Sequence, residues 1–245
     1  MRAASLAAVL LLWEWGGRAA GSLLLPTPGE ALRAAWSLAA QSELWRAVAV
    51  SNQALGLGYL GALGAGIPLG VLLARLPGLR RGAELYLNLL LVVPMAAVIP
   101  IVIVALGLGL TARAWIVFLF ALPVVVINAE AGVRSVDRRL VEMGRAFYAG
   151  ELALWRSVLL PGAVPAIVAG MRLGLGRALS GMVVVELLMI AAGVGRLILT
   201  YQGLFQAGAL YAVILVLVLQ AVLLMALLAA IESWAGARAG LKGVP

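Results

Sequence analysis

Between positions 197 and 231 no side chain carries a charge, and almost every residue is apolar. About twenty such residues cross the hydrocarbon core of a bilayer as a helix. In lipid every backbone N–H and C=O must be bonded internally, so a run of this kind is helical or nothing. Similar charge-free runs recur at 47–74, 85–112 and 114–129, the last short but extendable past Glu130 at a membrane edge. Two further apolar segments carry a few charges: about 3–25, with Glu14 and Arg18, and about 163–190, with Arg172, Arg177 and Glu186. The first lacks a convincing small-residue cleavage site and reads as an uncleaved helix rather than a signal peptide. With 64% hydrophobic and 11% charged residues, against about 45–50% and 25% in soluble domains, the chain is expected to be an all-α, polytopic membrane protein with six transmembrane helices.

Arginine orients the spans. With the N-terminus inside, eleven basic residues fall on the cytoplasmic side, among them Arg75, Arg80, Arg81, Arg134, Arg138, Arg139 and Arg145. Five fall outside: Arg18, Arg33, Arg46, Arg113 and Arg196. That asymmetry places both termini in the cytoplasm. Segment 28–46 then lies outside, and its apolar residues recur with helical spacing among charges, as in a surface-lying helix. Gly58, Ala62, Gly66 and Gly70 form a smooth stripe for close helix packing. Pro94, Pro100 and Pro123 fall inside expected spans and free backbone carbonyls that neighbouring helices or cavity water must satisfy.

Several chemistries are absent from the sequence. There is no His and no Cys, and the one lysine is Lys242. Thiol nucleophiles, most metal centres and a Ser-His-Asp relay are excluded. A Walker A loop needs G-x-x-x-x-G-K-[ST] so that its lysine reaches the phosphates, and Gly243 follows Lys242. ATP hydrolysis by that route must therefore come from a separate chain. The net charge of +8 is spread among apolar segments and reads as positive-inside loops, not as a nucleic-acid surface.

The longest polar insertion between spans is 131–161, AGVRSVDRRLVEMGRAFYAGELALWRSVLLP. Its apolar residues alternate with charges in two short helix-like pieces, with Gly150 between them and Pro161 expected to end the second. By periodicity alone, such a hairpin either lies in the membrane interface or offers its apolar face to a partner's groove.

This loop resembles the EAA loop of inner-membrane permease subunits of binding-protein-dependent ABC importers. Glu142, Met143 and Gly144 occupy the E-A-A positions, and 158–161, ending in Leu160 and Pro161, fits I-x-L-P. Tyr148 stands where the family has glycine, with Gly150 two residues later to serve the turn. Ordered blocks elsewhere are similar to the nitrate/sulfonate/taurine-type permeases: LPTPGEAL at 25–32, GIPLGVLLA at 66–74, VPMAAVIPIVIVALGLG at 93–109, LPVVVINAEAGV at 122–133, LPGAVPAIVAGMRLGLGRAL at 160–179, VVVELL at 183–188 and GVGRLI at 193–198.

The resemblance implies a type I ABC importer permease-like bundle, paired with a second copy of itself in the inner membrane. It implies two ABC ATPase subunits that hold ATP and Mg, with no cofactor in this chain, and an extracytoplasmic solute-binding protein that delivers the cargo. The chain then divides into 1–50 (first helix and outer surface helix), 51–235 (permease domain with the coupling loop at 131–161) and 236–245 (cytoplasmic tail). Glu142 is expected to pin the coupling helix through Arg138, Arg139 or Arg145, while Met143, Gly144 and Phe147 form the docking face.

Arg177 and Glu186 are charges inside a span, costing about 2.5–3.5 kcal/mol each at mid-membrane, and so face protein or water. Arg172 and Glu186, about 21 Å apart along a helix, cannot pair. Two readings stand: Arg177 beside the pathway attracting an anionic solute, or, favoured here, Arg177 and Glu186 as structural partners of other helices. The competing class, a secondary transporter or channel without an ATPase, calls for coupling carboxylates at mid-membrane, and only Glu186 qualifies.

Overall fold

The computed structural model describes residues 2–21, 25–147, 150–188 and 191–238, and all regular structure among them is helical. In chain order the helices are α1 (Arg2–Ala20), α2 (Pro28–Ala39), α3 (Ser42–Arg75), α4 (Pro77–Val92), α5 (Met95–Leu106), α6 (Leu110–Arg134), α7 (Arg138–Ala146), α8 (Glu151–Leu154), α9 (Leu160–Leu188), α10 (Gly193–Gly203) and α11 (Ala207–Arg238). A π-helical turn, Trp155–Leu159, joins α8 to α9. Of the expected tail at 236–245, the part from 239 on lies outside the described residues, as does Tyr148.

Four helices are long and apolar enough to cross a membrane: Ser42–Arg75, Leu110–Arg134, Glu151–Leu188 and Ala207–Ile231. α4 and α5 pass the same test only together, bent by 101°. Four of the six expected spans are thus found among the described residues, with α4 and α5 making a fifth only if the bent pair is one broken span; α1, with Arg2, Glu14 and Arg18 in its 19 residues, does not pass.

Three expected boundaries are corrected. The run 85–112 is not one helix: Val93 and Pro94 adopt extended backbone between α4 and α5. Proline pushes its predecessor out of the helical region and has no N–H to continue the ladder. The run 197–231 divides at 204–206, where Phe205 takes a positive φ of 54°, so α10 is a separate short helix. Segment 28–46 is α2 plus the first turn of α3, with Thr27 and Glu30 forming a capping box at the start of α2.

The chain divides into two compact units, one of residues 1–53 and 183–224, the other of 54–182 and 225–245. In the first, α2, α3, α10 and α11 bury a shared apolar cluster that includes Leu38, Leu44, Val194, Leu197 and Val213. Trp13 of α1 donates its indole N–H to the Pro26 carbonyl at 2.9 Å. In the second, α6 is the central helix. A Cβ at Gly58, Gly66 or Gly70 of α3 would strike Val117, Val125 or Ala129 of α6, so the smooth stripe is where α6 packs. On α9, Gly170 and Gly174 meet α6 in the same way, at Asn128 and Val125.

Candidate functional site

The loop identified in the sequence is a helical hairpin. α6 ends at Arg134, and α7 begins where the Asp137 carboxylate accepts the Arg139 backbone N–H at 2.8 Å, an N-cap. Its Leu140, Met143 and Phe147, spaced as one helical stripe, are 47%, 54% and 81% exposed. No residue of α7 is buried. Leu152 of α8 adds a further uncovered apolar side chain. The hairpin therefore presents a row of large apolar groups that nothing in the described residues covers.

What holds the hairpin is on its other side. Gly144, expected on the docking face, instead faces into the hairpin: a Cβ there would come within 2.9 Å of Leu154 Cδ2, so this glycine allows α7 to approach the buried Leu154 of its own second arm. The Arg75 guanidinium lies 5.8 Å from the centre of the Trp155 ring, a cation–π contact between the end of α3 and that arm. Glu142 pairs with Arg138, Nε to Oε1 at 3.0 Å, and Arg145 meets Glu151 at 4.0 Å. Gly150 is the N-cap residue of α8 in an extended conformation.

Pro161 does not stop the second arm, contrary to expectation. α8, the π turn, Leu160 and Pro161 continue without a break into α9. A helical proline drives its ring against the carbonyl four residues back. Here the Leu160 N–H bonds the Trp155 carbonyl across a π turn, and Pro161 follows directly on that wider turn.

Along α9 the two embedded charges have opposite surroundings. Arg177 is exposed and makes no ion pair among the described residues. Glu186 is 1% exposed. Its two oxygens accept the Ser51 hydroxyl at 2.9 and 2.8 Å, and Oε2 also accepts the Gly195 N–H at 3.1 Å. Ser51 Oγ in turn accepts the Val194 N–H at 2.9 Å. These bonds tie the Glu186 carboxylate of α9 to α3 and α10. Ser51, Gly193 and Gly195 were not singled out in the sequence: a lone serine in an apolar run carries no signal of a partner 135 positions away.

Two recesses lie within the second unit. One, of about 360 Å³, is apolar and lined by Gly58, Gly61, Trp115 and Phe118. The other, about 120 Å³, is polar and lies at the foot of the hairpin. There Glu130 binds Arg134 at 3.0 Å and Arg80 at 3.8 Å, tying α4 to α6. No group of side chains suited to hold a metal ion occurs among the described residues.

Comparison with known proteins agrees with the geometry. Residues 66–236 match the family described as binding-protein-dependent transport system inner membrane component. The chain is 33% identical over 185 residues to a putative aliphatic sulfonates transport permease of Escherichia coli (strain K12), covering 75% of this chain and 70% of that one. The corresponding protein of Bacillus subtilis (strain 168) is 32% identical over 216 residues, covering 86% and 77%. A taurine transport system permease of Escherichia coli is 29% identical over 72% of this chain and 66% of its own length. Among solved structures, an inward-facing methionine ABC transporter has the same fold, with TM-score 0.64 and 24% identity over 78% of this chain and 93% of that one.

Proposed function

This chain belongs to the binding-protein-dependent transport system inner membrane components, and from that premise we propose that it is the permease subunit of an ATP-driven importer for a small anionic solute of the sulfonate, taurine or nitrate kind. Two copies of the chain enclose the pathway, and an extracytoplasmic binding protein supplies the solute. Two ATPase subunits beneath them bind ATP and Mg. The loop at 131–161 faces the cytoplasm, as do both termini, and it is the part the ATPases move.

One observation carries the coupling assignment: the uncovered stripe of Leu140, Met143 and Phe147 on a helix held only by its opposite side. An amphipathic helix with its apolar row facing outward fits a groove in a partner, and aromatic and methionine side chains supply large, adaptable contact area there. Glu142 keeps α7 in register through Arg138. Closure of the ATPase pair then drives the hairpins together and rocks the spans between inward- and outward-facing states. Arg177, exposed on a membrane helix where lipid is a costly neighbour, faces the water-filled route and attracts the solute's negative charge.

The sequence has no cysteine, so Phe147→Cys places a single thiol on the stripe. Labelled there with a maleimide-benzophenone and irradiated in the assembled complex, the chain is expected to trap an ATPase subunit. If irradiation yields no such adduct while the complex still drives ATP-dependent uptake, the coupling assignment is wrong. Uptake that persists with no ATPase present favours a secondary transporter instead.

A further inference from the structure

We propose that Glu186 and Ser51 are positioning residues that clamp α10 onto α3 and α9, so that α10 travels through the transport cycle as a fixed part of its unit and not as an independently moving gate. The transport arms of the test rest on the permease reading above; the clamp itself is read directly.

Helices need acceptors for the N–H groups of their first turn, normally supplied by a Ser, Thr, Asp or Asn at the N-cap. α10 has Ala192 at that position, with no side-chain cap. Its second and third N–H groups, those of Val194 and Gly195, are taken up by Ser51 of α3 and Glu186 of α9. The carboxylate also lies at the positive end of the helix dipole.

The fit around this cap is close on every side. Gly193 turns at a φ of 54°, and a Cβ there would strike Ser51 Oγ and the Glu186 carboxylate. A Cβ at Gly195 would strike the Glu186 Cβ and its backbone carbonyl carbon. These atoms leave α10 no room to slide along α9. If α10 swung away, a buried carboxylate and two buried N–H groups would lose their bonds together, the kind of loss that folded interiors avoid.

Two further restraints act along the same helix. The Arg196 guanidinium binds Glu43 of α3 at 3.0 Å. At the other end, the Phe205 and Gln206 N–H groups close back onto the Gln202 and Tyr201 carbonyls at 3.1 and 2.9 Å. This is the hydrogen-bond pattern of a Schellman turn, with phenylalanine where glycine is usual. A helix capped and ion-paired through its first turn and closed at its end has no hinge of its own.

The test again uses the absence of cysteine. Glu43→Cys and Arg196→Cys, joined by a short bismaleimide, tether α10 to α3 in the complex reconstituted with its ATPase and binding protein. ATP hydrolysis and uptake of a short alkanesulfonate by the tethered complex are expected to stay within about twofold of the untethered one, since a clamped helix loses nothing when tied. A fall of about tenfold or more overturns the proposal, because α10 must then move against α3.

Glu186→Gln is expected to lower maximal uptake about tenfold with KM unchanged, and the tether is expected to restore it. Loss without restoration, or no loss, overturns the assignment of Glu186. If that variant fails to insert, Ser51→Ala carries the same arms. In Ser51→Ala, the Val194 and Gly195 amides are expected to exchange at least about tenfold faster than in the unmodified chain. Unchanged exchange overturns the clamp whatever the transported solute. An unmodified complex that shows no ATP-driven uptake contradicts the permease reading alone, and the exchange result still stands.

Discussion

α7 and α10 are both short helices outside the long spans, 9 and 11 residues, and they are finished in opposite ways. α10 buries Gly193, Val194, Gly195, Leu197 and Ile198, and its first turn is capped by a buried carboxylate and a buried hydroxyl. α7 buries nothing and turns its largest apolar groups outward. Water is a poor neighbour for an uncovered phenylalanine, and on the reading proposed above the stripe is where the ATPase seats. α10, in contrast, is complete within its own unit.

Matched glycine substitutions would break this comparison if it is wrong. Gly195→Ala puts a methyl group against the Glu186 Cβ and backbone, atoms fixed by α9 itself. Relief requires displacing a helix or the cap, so a destabilisation of about 3 kcal/mol is expected, the upper end of overpacking costs. Thermal unfolding in detergent, followed by monodispersity, reads it. Gly144→Ala meets instead Leu154 Cδ2 at 2.9 Å, the far end of a flexible side chain. Rotation of that side chain and the better helix propensity of alanine should keep the net change within about 1 kcal/mol, measured the same way. Equal effects at the two glycines would mean that α7 is held as tightly as α10.

The same contrast explains what could be seen in the sequence. The α7 stripe was legible because its period is local: Leu140, Met143 and Phe147 are spaced for one helix face whatever surrounds them. The smooth stripe on α3 was legible for the same reason. Glu186 stood out as an embedded charge, but its partners did not, since Ser51 and Gly195 acquire meaning only when α3, α9 and α10 come together. Proline was ambiguous in a related way. Pro68, Pro100, Pro123 and Pro165 stay inside helices, whereas Pro94 ends one; the five look alike in an apolar run, and packing decides which breaks. Pro161 was misread because the π turn that admits it has no pattern in the sequence.

The smallest expected effect is at the Arg138–Glu142 pair on the exposed face of α7. The Arg138 and Glu142 side chains are 91% and 63% exposed, and an exposed i,i+4 pair contributes about 0.3–0.5 kcal/mol, screened further by salt. Arg138 also places a positive charge in the first turn, where the helix dipole disfavours it, so part of even that gain is offset. Arg138→Gln should therefore leave the unfolding midpoint unchanged and ATP-dependent uptake within about twofold, since surface substitutions away from specific contacts stay near 0.5 kcal/mol. A much larger loss of uptake at unchanged stability would sharpen the comparison in a definite direction. The only thing such a charge can then be holding is the partner, and the docking surface would extend from the apolar stripe onto the charged flank of α7.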